Sequence, residues 1–184
     1  MNRELIKIDL SPNALIERKL VDNLLEINST TQKHGLILTE TIAKEIVAAR
    51  QKALKENDRI DFSADTTTRL VKAFSQSYYI AQETFSEMIG EMIDLFYFLK
   101  NEINDVLSDD DMISEMLIVF NDYCAGEMEL MQNKGAEIII RKYRFKEWAD
   151  LAEIWDRSIS SGEFVSYYEY DGEEQINYDE TWRE

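Results

Sequence analysis

The sequence holds a single histidine, His34, a single cysteine, Cys124, a single proline, Pro12, and six glycines among 184 residues. Each scarcity removes a class of chemistry. One imidazole cannot build a metal site that needs two, which excludes the Glu-x-x-His di-iron bundles. A Ser-His-Asp or Cys-His relay would rest on His34, which stands before Gly35 at an expected helix end, where capping or solvation is the simpler role. One cysteine forms no intrachain disulfide and suits a reducing compartment. Beside Phe120 and Tyr123, Cys124 reads as a small buried apolar side chain. No glycine falls in a G-x-G-x-x-G or G-x-x-x-x-G-K pattern, so no phosphate-cradling loop is expected. So few Gly and Pro also supply too few turns for a β-sandwich. No apolar run nears the ~18 residues of a membrane helix. The opening MNRELIKIDLSPN has no signal-peptide core. A cytoplasmic protein without membrane contact is the expectation.

What is present is apolar and acidic. The hydrophobic share is 45% and the aromatic share 11%, enough to bury a core. Twenty Lys and Arg face 37 Asp and Glu, a formal charge of −17. That charge disfavours nucleic acid and anionic lipid, both polyanions, and leaves basic or neutral protein partners. The length suits one domain with an appendage. Residues 1–160 read as a helical domain. Residues 161–184 read as a tail rich in acids and aromatics, with Phe164, Tyr167, Tyr168, Tyr170, Tyr178 and Trp182.

The periodicity predicts an all-α fold, mainly a helical bundle. Ser11-Pro12 opens a first helix carrying Leu15, Ile16, Leu20, Leu24 and Ile27, which fades toward Gly35. Thr39 caps a second with Ile42, Ile46, Val47, Ala53 and Leu54, ending at Asn57-Asp58. Arg59 to Phe62 alternate as a connector or a very short strand would. Ser63 or Asp65 caps a short helix holding Leu70, Val71 and Phe74. Residues 82–104 form the longest apolar face, expected at the centre of the core. Its outer side carries Glu83, Glu87, Glu91 and Asp94 at helical spacing, read as a solvated face ahead of a cation site. Ser108 and the aspartates 109–111 open another helix at the positive end of its dipole. This run lacks the ligand spacing of an EF-hand. Glu127 to Gly135 reads as a short helix closed by its glycine. Residues 136–145, AEIIIRKYRF, fit either a helix or a strand. A hairpin around Asp171-Gly172 is a further option in the tail.

Four segments carry a resemblance: GLILTETIAKEIVAARQKALKENDRIDF (35–62), LVKAFSQSYYI (70–80), LFYFLKNE (95–102) and SDDDMISEMLIVF (108–120). They resemble an uncharacterised bacterial domain-of-unknown-function family with ALKENxRIxF, FYxxKNE and SDD(D/E)(M/L)I motifs. The likeness covers about half the chain. It implies no activity, cofactor or partner. Asp58 stands where the family pattern has Gly, and Asp tolerates the left-handed turn this requires.

The matched segments each end in charge. If those ends converge, Arg59, Asp61, Tyr97, Lys100, Glu102, Asp109 and Asp110 form a polar corner, with Arg59 facing Glu102 or Asp110 and Lys100 facing the aspartates. Tyr78 or Tyr79 would border it. Such a corner reads as caps and ion pairs, or as a pocket for a small ligand or a partner's backbone. The favoured function is a non-catalytic helical module for protein–protein interaction or self-association, with no cofactor. One alternative is a Mg²⁺-dependent all-α nucleotide hydrolase using carboxylates alone. Its spacing candidates are Glu91-x-x-Asp94, Glu102-x-x-Asp105, Glu147-x-x-Asp150 and Glu153-x-x-Asp156, with Glu91 and Asp94 as its metal ligands. Another is an acidic decoy for a basic protein surface.

Overall fold

The computed structural model describes residues 12–61, 63 and 65–144. All of them fall in the first of two units into which the chain divides, Met1–Phe145. The predicted boundary at 160, the tail and its hairpin option lie outside the described residues. So does Ser11 as a cap.

The described part is all-α, with no strand. Helix α1 spans Pro12–Glu26 and a short α2 spans Asn28–Thr31. A 3₁₀ turn, Gln32–His34, then ends at Gly35, whose φ of 82° no side-chain-bearing residue adopts as readily. His34 is exposed. Helix α3 spans Glu40–Glu56, and the Ile42 amide donates to the Thr39 hydroxyl at 3.2 Å, as the capping pattern predicts. The connector 57–61 is not a strand, and Asp58 takes φ 50° there. The Ser63 hydroxyl accepts the Asp65 amide at the start of α4, Asp65–Phe74. Helix α5 spans Phe85–Glu102, shorter at both ends than its periodicity suggests. Helix α6, Asp109–Ile118, begins with the Asp111 amide donating to the Ser108 hydroxyl at 3.2 Å.

Two predictions fail beyond α6. Gly135 does not close a helix. Helix α7, Met128–Leu130, runs through a π-helical turn, Met131–Gly135, straight into helical residues 136–144. Gly135 is there for close packing: a Cβ on it would lie 2.6 Å from Met131 Sδ and 3.0 Å from Val119 Cγ1. Residues 136–144 are helix, so the strand alternative is wrong for them. The three isoleucines divide accordingly, with Ile139 buried, Ile138 exposed and Ile140 half-buried.

The core centres on α5, which buries Phe85, Ile89, Met92, Ile93, Phe96 and Leu99. Each such side chain contributes about 1.5–3 kcal/mol by leaving water. Cys124 is buried in the same core, and burial raises its thiol above the ordinary range. Helices α3 and α5 make the most extensive pairing, α1 lies on α3, and α4 packs on α5 and α6. Helices α3 and α5 run in the same direction. The Ile37 amide donates to Gln82 Oε1 before their starts, and the Asn57 amide group donates to Asp94 near α3's end. No helix among the described residues is long and apolar enough to cross a membrane.

Candidate functional site

Two regions of the α3–α5 pair carry polar chemistry: a corner at the helix C-termini and a groove along their outer face.

The corner forms where the connector after α3 meets the end of α5 and the start of α6. Arg50 is the anchor. It sits on the apolar face of α3 and is 3% exposed. Its guanidinium donates to the carbonyls of Asp61 (2.7 Å) and Ser63 (3.0 Å) and lies 3.2 Å from the Asp61 carboxylate. The Tyr97 hydroxyl donates to Asp61 Oδ2 at 2.8 Å. Burial pushes the Tyr97 phenol above its ordinary range; Arg50 opposes the rise and Asp61 adds to it. Lys100, its side chain 8% exposed, donates to the Leu107 carbonyl at 2.7 Å and pairs with Asp105 (3.1 Å) and Asp109 (3.2 Å).

The expected convergence is therefore real for Arg59, Asp61, Tyr97, Lys100 and Asp109, which line a cleft of 160 Å³ together with Ile60, Thr66 and Phe96. The expected pairings of Arg59 are not. Arg59 bonds both oxygens of Asp105 (2.8 and 2.9 Å) and Asn101 Oδ1 (2.8 Å). Glu102 instead takes Arg144, and Asp110 takes Arg69 at 2.6 Å. The physical reason is the turn after α5: Asn104 and Asp105 adopt φ of 50° and 56°, which swings Asp105 back toward Arg59. Burial raises the Asp105 carboxyl, but hydrogen bonds from Arg59 and Lys100 outweigh it and hold the group below the ordinary carboxylate range. Tyr78 and Tyr79 do not border the corner. They lie against each other, centroids 4.2 Å apart, with Tyr79 edge-on to Phe120.

The sequence reading missed Arg50, Thr66, Arg69 and Asn101, and it placed Asp105 only in a metal-spacing pair with Glu102. Arg50 left a signal, because it interrupts the stripe of Ile46, Val47 and Ala53 at a core position.

The groove has two joined hollows, of 340 and 420 Å³, which share Glu56, Glu91, Asp94 and Gln132. Its floor is Ala49, Ala53 and Gly90, with Leu95 and Phe98 at one end. Phe98 is 39% exposed. A Cβ on Gly90 would stand 3.0 Å from the Ala49 Cβ, so the helix backbones approach closely here. The rim bears Glu45, Glu56, Glu87, Glu91 and Asp94, with Lys52 the one cation among the lining residues. Burial first, and then the Glu87 charge, raise the Glu91 carboxyl above its ordinary range. Glu91 accepts from Gln132 at 3.4 Å and Asp94 from Asn57 at 2.9 Å. Among the described residues no three His, Cys, Asp or Glu side chains gather as a metal site. Glu147, Asp150, Glu153 and Asp156 lie outside the described residues.

The class these features define is an all-α domain with a paired-charge corner and an acidic, apolar-floored groove. The chain belongs to DUF6323, a family of unknown function, whose model matches residues 23–149. The match takes in both the corner and the groove, and it agrees with the expected membership of an uncharacterised domain family. No curated protein and no solved structure matches the chain.

Proposed function

We propose that the protein is a non-catalytic helical module for protein–protein interaction, acting in the cytoplasm. The groove between α3 and α5 carries this reading. It is apolar at the floor, polar at the rim and fixed on a closely packed helix pair within the family-matched region. Protein interfaces share that anatomy of apolar centre and polar surround. The corner supports the reading from the other side. Its cations and carboxylates are bonded to one another and to backbone carbonyls, so they serve to lock the connector and α6 onto α5. The hydrolase alternative gains less support. Glu102 and Asp105 are committed to Arg144 and to Arg59 with Lys100, and Glu91 and Asp94 take amide donors.

Photo-crosslinking in the native cell tests the reading. A benzophenone amino acid in place of Phe98 gives a discrete adduct, while the same probe at the exposed Glu26 gives none. An adduct of twice the chain mass identifies the partner as a second copy. Absence of any adduct from Phe98 overturns the reading.

A further inference from the structure

We infer that the segment seated in the α3–α5 groove is a basic amphipathic helix of a partner protein. This names the partner for the interaction reading above and rests on it. Charge complementarity carries the argument. Of the charged side chains lining the 340 Å³ hollow of the groove, five are carboxylates and one is Lys52. Lys52 is itself exposed and lies 3.8 Å from Glu56. Glu87 and Glu91 stand one turn apart on the same face, a like-charge pair that costs free energy in the empty groove. A seated cation converts that repulsion into attraction.

The floor distinguishes a helix from a small polycation. Half-buried Ala49 and Gly90 leave a narrow apolar strip between the rims, backed by buried Ala53 and Leu95, and exposed Phe98 extends it at one end. A polyamine would use the rim and leave that strip wet. An amphipathic helix uses both, with apolar anchors at i, i+3 and i+4 against the strip and Lys or Arg beside them on the rim. Two co-directional helices also present a natural seat for the ridges of a third. The same rim repels nucleic acid and anionic lipid.

The test uses the full chain and, as probe, an amidated peptide of about 14 residues with Leu and Lys at helical spacing. Calorimetry at low salt is expected to show binding that weakens steeply with added salt. The triple variant Glu87→Lys, Glu91→Lys, Asp94→Lys is expected to lose about tenfold or more in affinity. The control Glu26→Lys, Glu83→Lys, Asp122→Lys, with the same change in net charge outside the groove, is expected to lose under about threefold. Ser86→Trp, which fills the groove without altering charge, is expected to weaken binding as well. It remains informative if the triple variant does not fold. Equal losses in the two triples, or full binding by Ser86→Trp, overturn the inference, as does failure of the peptide to bind. If Phe98 crosslinks but the peptide is not bound, this inference falls and the interaction reading stands. If Phe98 gives no adduct, the interaction reading falls with it.

Discussion

The corner and the groove are built on the same two helices and treat charge in opposite ways. In the corner, Arg50, Arg59, Arg69 and Lys100 meet Asp61, Asp105, Asp109 and Asp110. In the groove, five carboxylates line a surface with one lysine. Where the chain folds back on itself it matches the signs. Along the groove it leaves one sign in excess. Charge is therefore unevenly placed between these two regions, and the groove's excess is what the proposed basic partner would neutralise.

The largest expected break in this contrast is Arg50→Ala. It strips two backbone carbonyls and the Asp61 carboxylate of a nearly buried donor, and should cost about 3 kcal/mol in urea unfolding. Lys100→Met comes next, at about 2 kcal/mol, because its partners Asp105 and Asp109 remain partly solvated. Asp105→Asn should cost about 1 kcal/mol at pH 7, discounted for a side chain that is half exposed. The sign of its pH dependence follows from its lowered pKa. The stabilisation is present above the unfolded carboxylate value of about 3.9 and is lost as pH falls through the lower folded value. Wild type and variant should therefore converge in melting temperature below about pH 4.

The groove gives the smallest effect and the opposite sign. Glu91 has a raised pKa, so its ionised form opposes folding at neutral pH. Glu91→Gln should stabilise by about 0.5 kcal/mol at pH 7. That gain should vanish as pH falls through the raised value and the wild-type carboxyl becomes neutral. A destabilising Glu91→Gln would show that the groove, like the corner, is held together by its charges, and the contrast would collapse.

The helices were legible because their signals are local. Thr39 and Ser108 bind amides three residues on, and Gly35 ends its turn within the same few residues. The corner was half legible for the same reason. Arg59, Asp61, Tyr97, Lys100 and Asp109 stand at element ends, and element ends meet. Their pairing was not legible, because it depends on the left-handed turn at Asn104 and Asp105, which a periodic helix reading to 104 hides. Asn-Asp at that point was the available clue. Gly135 misled through a genuine ambiguity: a glycine can end a helix or let another element touch it, and only the position of Val119 and Met131 decides. The groove was seen only as an acidic ladder on α5. Its other wall, on α3, is far away in sequence.

Gly90 sets the depth of that groove by what it lacks. One added methyl would press on Ala49 and force the two helices to part by a few tenths of an ångström or shift past one another. The floor would rise by an atom's height while every carboxylate on the rim stayed in place. The hollow and its charge are therefore separately adjustable, one by a single carbon at position 90 and the other by side chains on the rim. A lineage could change the depth or the charge of this surface without rebuilding the core beneath it.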